Sequence, residues 1–393
     1  MVYRWYDDGS LKGLEFELMA SSGNKGKEKI KRVIDSMHFR NPDIVPIGDI
    51  FFWAGFIEKW RTHFALDKSV EIFEYYDHDL ILCSPNIDPH IDNVREIEKT
   101  DKYVIYRGGF GSILKLDADQ PVPDFIDYAV KDAGELENFI FQDPHDDRRY
   151  SSSFAFTDQY EKEPPFSRQL DKYGGKFFLL GNICEARETI WRIMGMEGEF
   201  LAIKDNPEII KRFALRVADF NIELGKAQLE NQYINGLLIY GDIGYKNGLF
   251  MSPADWKEIY YPALKKICDR LKVYGKPIIY HTDGHYLEIM EYLIEAGINA
   301  IHPNEAKAGI DVVELIEEYR GKIAFFGNID AANALSKDRE SIRKEVQYKI
   351  EAASGGGYIP GGDDIPSSVS PENYDYYMEV LKSCRTYLAE RTA

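Results

Sequence analysis

Short apolar runs that stop abruptly at a polar group recur along this chain, and helical periodicities fill the gaps between them. Pro277 to Tyr280 ends in His281-Thr282-Asp283-Gly284. Gly236 to Gly241 runs into Asp242, Asn299 to Ile301 into His302-Pro303-Asn304-Glu305, Lys322 to Gly327 into Asn328-Ile329-Asp330, and Gly357 to Pro360 into Gly361-Gly362-Asp363-Asp364. Runs rich in β-branched and aromatic residues read as buried strands. Between them, residues 253–274 carry Trp256, Ile259, Tyr260, Leu264, Ile267 and Leu271 at helical spacing, started by Ser252-Pro253. Residues 286–296, 312–319 and 341–353 continue the alternation. Three earlier runs, 45–52, 79–83 and 176–181, bring the set to eight. Fully apolar strands alternating with helices predict a parallel sheet covered by helices, and eight of them predict a closed (β/α)8 TIM barrel.

In such a barrel every strand opens its carboxyl end onto one mouth. Asp242, His281, Asp283, His302, Glu305, Asn328, Asp330 and Asp363 would then converge. Taken singly, Asp283 could cap the next helix and His281 could be a hydrogen-bonded core residue. Recurrence of the pattern favours a reaction centre.

The first 40 or so residues read as an amphipathic appendage, with Ile30, Val33, Ile34 and Met37 on one face of a helix and lysines opposite. Tyr103 to Tyr106 and Ser112 to Leu116, joined by Gly108-Gly109-Phe110-Gly111, form a hairpin signal. Neighbouring barrel strands are parallel, so this hairpin belongs to an insertion, residues 100–174, between strands two and three. The whole of 1–393 then reads as one barrel domain. Arg187, in the helix after strand three, is assigned a surface role by default.

Composition narrows the function. A formal charge of −18 over 393 residues excludes a basic footprint for nucleic acid. The sequence holds neither an apolar run long enough to cross a bilayer nor a leader signal, so a cytoplasmic location without membrane attachment is expected. Cys83, Cys184, Cys268 and Cys384 lack zinc-ligand or redox spacing. Cys268 and Cys384 fall on apolar helix faces, whereas Cys83 and Cys184 lie at strand ends where a functional role is open.

The block Gly241-Asp242 through Gly248-Leu249-Phe250-Met251-Ser252-Pro253 with Trp256 and Tyr261-Pro262 resembles the uroporphyrinogen decarboxylase superfamily. So do Gly275-Lys276-Pro277 to Gly284, Gly327-Asn328-Ile329-Asp330, and Gly355 to Pro360 leading to Ser370-Pro371-Glu372-Asn373. The resemblance spans roughly residues 38–385 and implies a (β/α) barrel. It also implies one of two chemistries: cofactor-free decarboxylation of uroporphyrinogen, or methyl transfer between a small molecule and a corrinoid carried by a separate protein, often with zinc. The decarboxylases carry an arginine-rich signature near the start, which neutralises a polycarboxylate substrate. Here that region reads Arg40-Asn41-Pro42 to Pro46 and then Phe51-Phe52-Trp53, aromatic and apolar after Arg40, its one guanidinium. The resemblance therefore points to the methyltransferase branch, with Phe51, Phe52, Trp53 and Tyr240 as contacts for a methoxy-aromatic or methylamine-like donor. Barrel-filling aromatics would read the same way.

The branch's zinc enzymes use a His-x-Cys motif and a later Cys. This chain has His281 and Asp283 at the first place and Asp363-Asp364 at the second, so both thiolates are missing. Histidine with carboxylates suits zinc or another divalent ion, with His281, Asp283 and Asp363 as ligands and Asp242 or Glu305 in reserve. A metal-free polar cluster would use the same residues. Catalysis is expected from His281, Asp283 and Asp242, with His302, Glu305, Asn328 and Asp330 contacting substrate. The resemblance implies a homodimer and a corrinoid-protein partner. A cofactor-free decarboxylase or lyase, and a non-catalytic tetrapyrrole- or corrinoid-binding barrel, are the alternatives.

Overall fold

In the computed structural model, residues 23–92, 94–117, 122–155 and 162–392 are described; residues 1–22 of the expected appendage lie outside them. Seven parallel strands form one curled sheet in chain order: β1 (Leu80–Leu82), β2 (Phe178–Cys184), β3 (Ile234–Tyr240), β4 (Ile278–Thr282), β5 (Ala300–Pro303), β6 (Ala324–Ile329) and β7 (Tyr358–Gly362). Helices alternate with the strands, so the architecture is the α/β barrel that the pattern predicts.

The expected first strand, 45–52, closes the ring without being a regular strand. Ile47 accepts from the Asp79 N–H at 2.9 Å on one side, and Gly48 donates to Pro360 at 3.3 Å on the other. Pro46 has no N–H to give a ladder, which breaks the pairing. Side chains stitch the seam instead. Asp79 accepts from the Ile47 N–H at 2.8 Å and from Arg32 and Arg385. Asp49 accepts from the Gly362 N–H and the Tyr374 hydroxyl.

Alternation along the strands decides what faces inward. Leu80, Phe178, Leu180, Leu238, Ile279, Ala300, Phe326 and Ile359 fill the barrel interior. Helix α1 (Asn24–Met37) joins them through Ile30, Val33, Ile34 and Met37, so the segment read as an appendage is the floor of the barrel. Lys29, on the face expected to be solvated, is buried and donates to the His78 carbonyl at 2.5 Å.

The hairpin belongs to a four-stranded antiparallel sheet, Arg95–Lys99, Tyr103–Arg107, Ile113–Asp117 and Asp124–Asp127, inserted between β1 and β2. Buried Arg149 ties the region to the loop after β1, donating to the carbonyls of Asn86 at 2.9 Å and Asp88 at 2.7 Å. The helix expected over 253–274 divides into Pro253–Ile259 and Tyr261–Leu271 where Pro262 cannot donate. Among the described residues no helix is long and apolar enough to cross a membrane.

Candidate active site

Register carries three side chains to one level. Tyr240, His281 and His302 are Cα partners across β3, β4 and β5, two residues beyond the interior positions Leu238, Ile279 and Ala300. The same alternation therefore turns all three inward at the carboxyl end. The His281 and His302 rings stack with centroids 5.0 Å apart and share a 2.8 Å Nδ1···Nδ1 contact, so a single proton serves both nitrogens. Phe51 sets its edge against His281 at 5.3 Å and tilts onto His302 at 5.8 Å.

Beyond the strands, carboxylates gather. Asp242 Oδ1 accepts the Asp283 N–H at 2.8 Å, and Asp283 Oδ1 lies 3.9 Å from His281 Nε2. Asp242, His281 and Asp283 each bring a ligand atom within 4.8 Å of the others. Two oxygens and an imidazole nitrogen at this spacing fit a divalent ion. Glu305 accepts the Gly284 N–H at 2.8 Å and meets Lys307 at 2.5 Å, and Lys307 reaches Asp363 at 3.6 Å.

Crowding like charges in a half-buried mouth makes ionisation costly. Burial, then the neighbouring charge of Glu188, pushes Asp242 up to about 7. Burial together with Asp242, Glu305 and Asp364 pushes Asp283 well above the carboxylate range. Burial lifts Asp363 to about 6 against the opposing pull of Lys307. Burial lowers both histidines; Asp364, Glu188 and Glu305 pull His281 the other way, while His281 further lowers His302. The mouth thus presents neutral imidazoles beside carboxyl groups that hold protons near neutrality.

Not every expected residue joins this cluster. Asp363 faces Lys307, and the group that gathers with His281 and Asp283 is completed by Asp242. Phe52 turns away from the mouth to pack on Phe56, Phe73 and Tyr374, since successive side chains of an extended segment point oppositely. Trp53 donates its indole N–H to Asp364 at 3.2 Å, and Asp364 acts on His281. Buried Asn328, at φ +67°, holds the left-handed exit of β6 by donating to the Ile310 carbonyl at 2.9 Å and accepting from the Val312 N–H at 3.2 Å. Asp330 caps the next turn, accepting from the Asn333 backbone at 2.7 Å and side chain at 3.0 Å. Cys83 and Cys184 are buried, and burial raises both thiols.

Arg187 is wholly buried, contrary to its default reading. It pairs with Glu199 at 3.1 Å and donates to the Asp242 carbonyl. Glu188, equally unforeseen, accepts the Asp242 N–H at 3.2 Å. Gly241 permits this: a Cβ there would lie 2.7 Å from the Cβ of Glu185 and 2.9 Å from that of Glu188.

Residues 171–384 match the family model described as Uroporphyrinogen decarboxylase (URO-D). The chain is 29% identical over 147 residues to the uroporphyrinogen decarboxylase of Schizosaccharomyces pombe, covering 35% of this chain and 39% of that protein's length. A solved methyltransferase from Methanosarcina mazei shares the fold at a TM-score of 0.65 and 12% identity, covering 91% of this chain and 98% of that one.

Proposed function

The chain belongs to the uroporphyrinogen decarboxylase family, and on that premise we propose that it transfers a methyl group from a small methoxylated or N-methylated donor to a corrinoid on a separate protein. The observation that carries this reading is the sign of charge at the mouth. Asp242, Asp283, Glu305, Asp363 and Asp364 act on one another or on His281 there, with Lys307 as the cation tied into them. The nearby guanidiniums are neutralised inside the fold, Arg187 by Glu199 and Arg192 by Glu188 at 2.6 Å. A polycarboxylate would crowd further carboxylates into this cluster, and the guanidiniums beside Asp242 are already paired. A neutral or cationic methyl donor meets neither obstacle.

Displacement at a methyl carbon requires alignment and a less basic leaving atom. Phe51 and Tyr240 give the mouth an apolar wall for the donor. Carboxyl groups that keep their protons near neutrality, Asp242 and Asp283, are placed to protonate the departing oxygen or nitrogen, which keeps the electron pair of the broken bond. In the alternative arrangement, with those carboxyls ionised, Asp242, His281 and Asp283 would instead hold a divalent ion. Such an ion, when bound, supplies Lewis-acid polarisation of the leaving atom.

The test is a panel of methoxylated aromatics and methylamines incubated with cob(I)alamin, following methylcobalamin by absorbance. A donor-dependent rise is expected. No rise with any donor, together with carbon dioxide release from a carboxylated substrate, would favour a cofactor-free decarboxylase. That second reading draws on the S. pombe relative.

A further inference from the structure

Two ion pairs lie buried behind the mouth, where apolar packing alone would be cheaper. Helix α2 (Ala186–Met194) starts directly after β2, with Glu185 as its N-cap accepting from the N–H groups of Arg187 and Glu188. Its first turn points two charged side chains at Asp242, two residues past the end of β3. Glu188 Oε2 accepts the Asp242 N–H at 3.2 Å and the Trp191 indole N–H at 2.7 Å, while its Oε1 meets Arg192 Nε at 2.6 Å. Arg187 donates one terminal nitrogen to the Asp242 carbonyl and the other to Glu199 at 3.1 Å, and Glu199 is held in turn by the Tyr260 hydroxyl at 2.7 Å. Phe250 covers the guanidinium, its ring centroid 4.5 Å away. Each charged group is thus neutralised by a second partner, and each keeps one polar atom on the Asp242 backbone.

We propose that Glu188 and Arg187 are positioning residues that grip Asp242 by its N–H and its carbonyl, fixing where its carboxylate stands relative to His281 and Asp283. A residue held at both peptide groups and at Oδ1 by the Asp283 N–H has little freedom left in its backbone or side chain. Outer partners of this kind set the geometry of ligand and reacting carboxylates. The inference rests on the reading of Asp242 as part of the reaction centre.

Single removal of Glu188 would orphan Arg192, so the informative variant is Glu188→Met/Arg192→Met, which replaces the pair by apolar residues of similar size. Its control is Glu188→Gln/Arg192→Met, which keeps an acceptor for the Asp242 N–H and leaves no guanidinium unpaired; the all-methionine form is the double variant. Zinc titrated calorimetrically into the full chain should bind the double variant about 10–100-fold more weakly than wild type, and the Glu188→Gln/Arg192→Met control should recover most of that loss. Equal affinity in wild type and double variant overturns the proposal. Should wild type take up no zinc, the metal part of the proposed function fails instead. The positioning is then read from hydrogen exchange at the Asp242 amide. Protection lost in the double variant and kept in the Glu188→Gln/Arg192→Met control supports it, and unchanged protection in the double variant overturns it.

Discussion

The two ends of the barrel are built from the same strands and treat charge in opposite ways. At the floor, α1 seals the interior with Ile30, Val33, Ile34 and Met37, and its buried charge is answered: Arg32 meets Asp79 at 2.6 Å and Asp43 at 2.7 Å. At the mouth, carboxylates face carboxylates, and Asp242, Asp283 and Asp363 are all pushed upward. Pairing would relieve that strain at little cost, as the floor demonstrates. A region that forgoes such relief is arranged for a ligand or a proton.

The comparison can be broken most forcefully at the floor. Val33→Asp places an unanswered charge among apolar side chains and should lose about 3–5 kcal/mol of unfolding free energy, measured by urea titration; a loss below about 1 kcal/mol would mean the floor tolerates charge as the mouth does. At the mouth the effect is smaller and depends on pH. A carboxyl whose folded pKa is raised binds its proton more tightly in the folded chain, which stabilises it fully below the unfolded value near 4 and is lost as pH climbs through the folded value. For Asp242, pushed up to about 7, wild type should therefore lose about 2–3 kcal/mol relative to Asp242→Asn between about pH 5 and 8. His281 and His302 are pushed down and act in the opposite sense below about pH 6.5. They act in both proteins, so the difference reports Asp242 together with the upward push it exerts on Asp283. Parallel curves would show that Asp242 is not strained. The smallest effect belongs to Lys307→Ala: its half-exposed pairs to Glu305 and Asp363 should contribute about 0–1 kcal/mol to stability by thermal unfolding.

Much of the mouth was legible because strand ends announce themselves. An apolar run that halts at His281, or at Asp242, has no packing reason to do so there, and period-two alternation from Ile279 and Ala300 fixes the inward side. The same alternation sends Phe52 outward once Phe51 faces in, but residues 45–52 make too few ladder bonds for register to be read from sequence. Asn328 and Asp330 look like site residues because polar groups at strand ends also serve bends and caps, a use that depends on φ and on the next turn. Arg187 and Glu188 were hidden for a different reason. A charged first turn reads as a solvated helix face, and the close approach of Gly241 that buries it is a tertiary fact. From sequence the floor helix reads as an appendage, because its apolar stripe cannot say what it covers.

The most direct measurement is the rate of methylcobalamin formation by His281→Ala set beside its unfolding free energy. The proposed account predicts a rate lower by about 10²–10⁴-fold with stability changed by no more than about 1–2 kcal/mol. A variant that folds and turns over at the wild-type rate would contradict it.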